Sequence, residues 1–169
     1  MLQIRVFPRY LLCLSVLSYC LASAPSTVRF DGLGPAKIGM NLSQLNAVLH
    51  TQATMPATKD QQGCFYVNSN KHPHIAFMMV DEHLARIDVN QPGVSTAKGI
   101  QVGDSESHAL EVYGHRLEVI PHKYLETGRY LTIKSNDGRY GIRFETDEGK
   151  ITKYYAGRYD AIQYVEGCQ

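Results

Sequence analysis

One stretch of the sequence has the residue types of a nucleophilic serine site. Ser105 follows Gly103-Asp104, an order that occurs in hydrolase signatures. A serine nucleophile needs a general base and an oxyanion site. The residues after Ser105 lack the glycines that usually build an oxyanion site, and Met40-Asn41 holds the corresponding place before an earlier helical stretch. We therefore interpret Asp104 or Ser105 as a helix cap and the protein as a non-enzyme, with a hydrolase as the alternative.

A second stretch has the residue types of a metal site. His72-Pro73-His74 places two imidazoles on one side of an extended segment, and Asp81, Glu82 and His83 would approach them across a hairpin. Such a set would suit zinc or copper. The two histidines lie in a polar stretch, however, where a solvated side chain is the more common outcome. We expect no metal site and no cofactor.

Tyrosine is the remaining chemical signal. Seven of the nine tyrosines that follow residue 24 lie after residue 120. Tyrosine combines a large contact area with a polar end and is enriched at protein interfaces, but it is also a common strand residue. Two interpretations stay open, a tyrosine-rich recognition surface and ordinary sheet composition.

Residues 1–24 have the three parts of a secretory signal. Arg5 and Arg9 form a basic start, an apolar run extends over 10–21, and Ala22-Ser23-Ala24 supplies the small residues that a signal peptidase reads. The apolar run is shorter than the roughly twenty residues that span a bilayer, and no later apolar stretch reaches that length. We predict a cleaved signal peptide and a periplasmic or secreted protein without a membrane span.

Cys20 leaves one alternative at this end of the chain. Leu17-Ser18-Tyr19 precedes it, as a short motif precedes the lipid-bearing cysteine of a lipoprotein. Tyr19 is bulky at a position where such motifs have a small residue. Lipid attachment is therefore the alternative to simple cleavage after Ala24.

Removal of residues 1–24 changes both the charge and the cysteine content. The 17 Lys and Arg residues lose Arg5 and Arg9, so 15 remain against 16 Asp and Glu. A net charge of about −1 does not favour binding to nucleic acid or to an anionic membrane. Only Cys64 and Cys168 remain, and in an oxidising compartment they are expected to form one disulfide. Two buried free thiols are the alternative.

The sequence predicts two helical stretches and several strands. Both helical stretches, which begin within 38–43 and 102–107, have an apolar residue and a glycine before the capping position and lie 64 residues apart. Gly114 follows the second helix, where a left-handed residue is favoured. The predicted strands are Cys64–Val67, Ile75–Val80, Leu84–Val89, Arg129–Lys134, Tyr140–Thr146, Lys150–Tyr155 and Ala161–Val165.

The order of these elements predicts a tandem repeat. The segment 77–82 aligns with 144–149 at an offset of 67 residues, close to the offset of 64 between the helices. We predict an α+β fold in which a short helical element packed on an antiparallel β-sheet occurs twice. The first copy would occupy residues 25–90 and the second residues 91–169.

Alternation assigns faces for part of the predicted sheet. Apolar residues such as Leu131 and Ile133 should face the helices, and the residues between them should lie on an open face. In Leu84–Val89 and Lys150–Tyr155 the alternation is broken, and no faces are assigned. The candidate binding residues on the open face are Tyr66, Tyr130, Thr132, Lys134 and Arg143.

Two resemblances follow from these patterns. The predicted order is a helical element introduced by an apolar-Gly step and followed by an antiparallel hairpin sheet, and this unit occurs twice. This order resembles the architecture of the beta-lactamase-inhibitor proteins. The BamE-like outer-membrane lipoproteins are similar to a single unit of it. Asp31-Gly32-Leu33-Gly34-Pro35, Ile38-Gly39-Met40 and Tyr164-Val165-Glu166-Gly167-Cys168 resemble a family of uncharacterised bacterial secreted proteins. The resemblance to the inhibitors is one of element order, so a shared function is an analogy.

The function expected from the sequence is binding. We expect an exported module that recognises a protein partner through the open face of its sheet, as an inhibitor of an envelope or foreign enzyme or as a component of envelope assembly. The alternative is a small-ligand or glycan-binding protein that uses the same tyrosines as stacking platforms.

Overall fold

A computed structural model describes residues 27–57 and 63–168. The predicted signal peptide and Cys20 lie outside the described residues. No helix in the described part is both long enough and apolar enough to cross a membrane.

The described residues form an α+β fold, with two antiparallel sheets and two short α-helices. The smaller sheet consists of β1 (Val28–Arg29), β2 (Gly32–Leu33) and β3 (Ala36–Lys37). The larger sheet has, in spatial order, β4 (Cys64–Ser69), β5 (His72–Val80), β6 (His83–Val89), β10 (Lys150–Arg158), β9 (Tyr140–Asp147), β8 (Arg129–Lys134) and β7 (Glu118–Pro121). The helices are α1 (Leu42–Leu49) and α2 (Glu106–Tyr113), and 3₁₀ turns occupy Gly114–Arg116 and Ala161–Gln163.

Both helices begin at the predicted capping residues. At α1 the side chain of Asn41 accepts a hydrogen bond from the Gln44 amide at 2.9 Å, and the Gln44 side chain accepts one from the Asn41 amide at 3.0 Å. At α2 the Ser105 hydroxyl accepts from the His108 amide at 3.1 Å. Each bond satisfies a backbone donor that the first turn of a helix leaves unpaired.

The two helices pack on one face of the larger sheet. Leu45 of α1 and Ala109 of α2 are fully buried there. Tyr140, which begins β9 and is also expected from alternation to point inward, is partly exposed and lies outside the apolar cluster of the core. The other predicted inward residues of β4, β8 and β9 lie in that cluster, which confirms the faces assigned to them from alternation. These residues are Phe65, Val67, Leu131, Ile133, Ile142 and Phe144.

The chain makes the same backbone contact just before each helix. The Gly39 amide donates to the Leu84 carbonyl at 2.7 Å, and the Gly103 amide donates to the Ile151 carbonyl at 2.8 Å. Both glycines have a positive φ, 94° and 95°, which a residue with a Cβ adopts at a cost. The hairpin turns that follow also share positive φ, at Asp81, Glu82, Glu148 and Gly149.

A β-bulge explains each stretch in which the alternation is broken. Arg86 pairs with Met78 while Leu84 pairs with Met79, so β6 has one extra residue against β5. The same register shift occurs in β10 between Ile151 and Lys153. An extra residue reverses the side of every following side chain relative to a strict period of two. The faces of these two strands therefore could not be assigned from period alone.

The predicted strand Ala161–Val165 is wrong. The 3₁₀ turn Ala161–Gln163 stands in its place. A strand directly after β10 could not form a hairpin with it, because β10 already pairs with β6 on one side and β9 on the other. The structure also contains strands that the sequence pattern did not predict. These are β1, β2, β3 and β7.

A disulfide joins Cys64 to Cys168, as predicted. Their Cα atoms lie 5.2 Å apart, and the bond closes a loop across a sequence separation of 104 residues. It attaches the C-terminal segment to β4, one of the two edge strands of the larger sheet. The last residues are thereby held against the sheet.

We predict that replacement of both cysteines by alanine lowers the free energy of unfolding by about 4 kcal/mol, because the bond restricts a long loop of the unfolded chain. Urea denaturation measures the loss. Reductant should destabilise the native protein by a similar amount and leave the doubly substituted protein unchanged. Equal stability of the two proteins under oxidising conditions would contradict the prediction.

Candidate functional site

The predicted binding residues lie on the second face of the larger sheet, the face opposite the helices, but that face is not open. Tyr130 and Thr132 are each 3% exposed and Arg143 is 5% exposed. Tyr66 is half-buried. Lys134 is exposed, and its Nζ lies 3.8 Å from the centre of the Tyr159 ring. The expectation of an open face is therefore corrected at four of the five residues.

Two segments cover this face. The covering loop, residues 122–128, places the ring of His122 against that of Tyr130, with centroids 4.4 Å apart. The C-terminal segment, residues 161–168, includes Gln163, whose side-chain oxygen accepts a hydrogen bond from Arg143. Alternation cannot reveal either cover, since it orders the two sides of a strand but not what packs on them.

Arg86 is the buried charge at the centre of the covered face. Its Nε and Nη2 donate to the two carboxylate oxygens of Asp88 at 2.6 and 2.8 Å, and Nη2 also donates to the Tyr66 hydroxyl at 3.0 Å. The guanidinium carbon lies 4.4 Å from the centre of the Tyr155 ring. Burial alone would lower the pKa of Arg86, but the hydrogen bonds and charge of Asp88 raise it above its ordinary value.

The remaining donors of Arg86 hold the C-terminal segment. Its Nη1 donates to the carbonyls of Ala161 at 3.1 Å and Tyr164 at 2.6 Å. All five N–H groups of the guanidinium therefore have acceptors. A side chain of β6 thus anchors backbone more than 70 residues later in the chain.

A second buried cluster forms around Glu145 of β9. Its carboxylate lies 3.0 Å from His122 Nε2 and 3.1 Å from Lys153 Nζ, and it accepts from the Tyr155 hydroxyl at 2.9 Å. Burial and the neighbouring charge of Glu145 both raise the pKa of Tyr155, which keeps its hydroxyl protonated as a donor. Tyr155 contacts both Arg86 and Glu145, so the two clusters are joined.

The hydrogen bonds of His122 leave it no free nitrogen. Its Nδ1 lies 3.1 Å from the amides of Tyr124 and Leu125, and an amide can only donate. Nδ1 is therefore the acceptor, and Nε2 carries the hydrogen that is donated to Glu145. The His122–Glu145 pair accordingly holds the covering loop in place rather than presenting a base to a substrate.

The serine and histidine stretches do not assemble the sites considered from sequence. The Ser105 hydroxyl caps α2 and lies 2.9 Å from the Ser107 hydroxyl, with no hydrogen-bonded basic side chain among the described residues. His72 and His74 lie at the start of β5, whereas Asp81-Glu82-His83 follows its other end. The expected approach of these three residues to the two histidines therefore does not occur. The described residues contain no group of three or more His, Cys, Asp or Glu side chains arranged to hold a metal ion.

Exposed large hydrophobic side chains are concentrated on the two covers and on the adjoining face of β7. We call these side chains the outer patch, and they are Ile120, Tyr124, Leu125 and Tyr164. Two other large hydrophobic side chains among the described residues have comparable exposure, Leu110 on α2 and Val119 on β7. Val119 lies on the helix side of the sheet, because it pairs with Leu131, which faces the helices. The Tyr124 hydroxyl donates to the Glu166 carboxylate, and Lys123 Nζ lies 3.6 Å from the same carboxylate. The covering loop and the C-terminal segment therefore meet at this patch.

A cavity of about 360 Å³ opens on the other side of the sheet. It lies between the smaller sheet, the end of α2 and the strands β8 and β9. Its lining is mostly apolar and includes the buried side chains of Val28, Tyr113, Ile133 and Ile142. No sequence pattern indicated it, because its wall combines a two-residue strand with positions far apart in the chain.

Comparison of the chain with protein-family models, with curated proteins and with solved structures found no match. Its function is therefore inferred from the residues and their geometry.

We predict that Arg86→Met costs about 3 kcal/mol of the free energy of unfolding, because it leaves the Asp88 carboxylate buried without its cation. Adding Asp88→Asn should recover part of the loss. Urea denaturation measures both, and hydrogen exchange should show faster exchange in residues 161–168. Unchanged exchange in the C-terminal segment would contradict the anchoring role of Arg86.

We also predict that stability falls above about pH 10, the ordinary pKa of tyrosine. Burial is the first cause that raises the pKa of five tyrosines, Tyr66, Tyr113, Tyr130, Tyr154 and Tyr155. Below the unfolded pKa both states keep these protons, so the contribution is complete there, and it is lost as the pH rises through the higher folded values. Urea denaturation at increasing pH measures the slope, which Tyr155→Phe should reduce. A slope that the substitution leaves unchanged would contradict the prediction.

Proposed function

We propose that the protein is an exported, non-enzymatic binding protein that recognises a protein partner through the outer patch. The observation that carries the proposal is the concentration of exposed apolar and aromatic side chains on the two covers and on β7. Tyr124 is 57% exposed and Tyr164 is 43% exposed. Large aromatic residues are enriched among the side chains that contribute most to protein binding.

The two segments that carry the outer patch are held in place by contacts with the rest of the protein, and this favours binding. The covering loop is held by the bonds of His122 to Glu145 and to two backbone amides. The C-terminal segment is held by Arg86 and by the disulfide at Cys168. A surface fixed before binding loses less conformational entropy when a partner docks.

We infer in addition that residues 25–90 and 91–169 are tandem copies of one unit. The matched backbone bonds of Gly39 and Gly103, the matched bulges and the matched hairpin turns support this inference. The same order of elements carries the resemblance to the beta-lactamase-inhibitor architecture, and by that analogy the partner would be an enzyme of the envelope or a foreign enzyme. A role in envelope assembly is the other use that a partner-binding surface would serve.

Export to the periplasm or beyond is part of the proposal. The signal-like residues 1–24 carry it. The disulfide is compatible with it, because such bonds persist in oxidising compartments.

The test uses substitution of the outer patch. We expect the protein to capture a defined partner from cell-envelope extract, and the purified partner to bind the protein directly. Tyr124→Ala combined with Tyr164→Ala should weaken the measured affinity about tenfold or more, since each truncation removes an exposed aromatic contact. Isothermal titration calorimetry measures the affinity.

Leu110→Ala is the matched control, because Leu110 is an exposed apolar residue on α2, outside the outer patch. It should bind the partner as the unchanged protein does. If the doubly substituted protein bound the partner as tightly as the unchanged protein, the outer patch would not be the binding surface. Equal loss of affinity in the control would point to a different surface.

A further inference from the structure

The cavity behind the sheet has walls suited to an apolar ligand. Val28 is fully buried, Ile133 and Ile142 are each 2% exposed, and Tyr113 is 9% exposed. The hydroxyl of Tyr113 donates to Thr96 Oγ1 at 3.1 Å, so the polar end of this ring has a partner within the protein. A volume of about 360 Å³ lies within the range of small-molecule sites.

Charged side chains surround the cavity, and positive charge predominates. Asp31 is paired with Lys37 at 3.2 Å and with Arg29 at 3.5 Å. Burial alone would raise the pKa of Asp31, but its bond to Lys37 and these two cations lower it, so the carboxylate is already compensated. Two further cations line the cavity, Lys98 and Arg116.

Neither of these two cations is neutralised by an acidic side chain within the described residues. Arg116 donates through Nη2 to the Lys134 carbonyl at 3.0 Å and to the Asn136 side chain at 3.0 Å, and both acceptors are neutral. Lys98 is exposed and has no hydrogen bond or ion pair within the described part of the chain. An anion at the cavity would therefore meet uncompensated positive charge.

We propose that this cavity binds a free aliphatic monocarboxylate, with its hydrocarbon chain against Val28, Ile133 and Ile142 and its carboxylate at Lys98 and Arg116. Binding is favourable because the apolar walls remove the hydrocarbon chain from water, which lowers the free energy of the complex. A sugar would bury hydroxyl groups without partners there, which costs free energy. The site lies on the helix side of the sheet and is independent of the outer patch.

Calorimetric titration with sodium dodecanoate, kept below its micelle-forming concentration, tests the proposal. The purified protein should bind dodecanoate at a single site and should not bind dodecyltrimethylammonium, which has the same chain and the opposite charge. Lys98→Glu should weaken dodecanoate binding about tenfold or more, because it replaces attraction by repulsion at the carboxylate. Ala97→Phe should abolish binding, because Ala97 lines the cavity and a ring there would fill it.

Two matched variants control for charge and for bulk. Lys71→Glu makes the same change of charge at an exposed lysine away from the cavity, and Ala57→Phe adds the same ring at an exposed alanine that does not line it. Both should bind dodecanoate within about twofold of the unchanged protein.

Three results would overturn the proposal. The first is absence of dodecanoate binding, whatever the reason, including occupation of the site by the chain's own residues before Thr27. The second is equal binding of the cationic amphiphile. The third is full binding of dodecanoate by Ala97→Phe. Loss of partner binding in the outer-patch variants leaves this site unaffected, so failure of one proposal is distinguishable from failure of the other.

Discussion

The buried guanidinium of Arg86 is the contact on which the closed second face depends. A charge that is 3% exposed is stable only with its hydrogen bonds satisfied and its charge compensated. Asp88 provides the compensating charge from the same strand, and two backbone carbonyls of the C-terminal segment complete the set. A lysine at this position has three donors on one nitrogen and could not reach the same five directions. Arginine is therefore the side chain that can bind β6 and the chain end together.

The two covers depend on each other through the second face. Tyr155 stacks on Arg86 and donates to Glu145, and Glu145 accepts from His122 of the covering loop. A disturbance of the C-terminal segment would therefore reach the covering loop through buried polar contacts, where a lost partner is costly. On the outside, Glu166 joins the two covers again. The aromatic residues that the sequence places late in the chain are thus divided between a buried network and an exposed surface.

Several features of the fold follow directly from local sequence. Asn41 and Ser105 cap their helices because a polar side chain at that position reaches the free amides of the first turn. The faces of β4, β8 and β9 follow from alternation, which sorts apolar from polar side chains as long as the period of two is unbroken. The bulges in β6 and β10 interrupt that period. Alternation therefore does not show on which face of the sheet Arg86 and Lys153 lie. A charged pair two residues apart inside an apolar strand, Arg86 and Asp88, was the available sign of a buried ion pair.

The sequence by itself determined the α+β class, the helix starts, the order of the main hairpins and the pairing of Cys64 with Cys168. Each of these depends on neighbouring residues or, for the disulfide, on Cys64 and Cys168 being the two cysteines after residue 24. Only the tertiary structure decided which polar residues are accessible. Tyr130, Thr132 and Arg143 are buried because distant segments return over them, held by contacts such as that of Arg86 with Tyr164. Such contacts join positions with no periodic relation, so the candidate surface moved from the sheet to the segments that cover it.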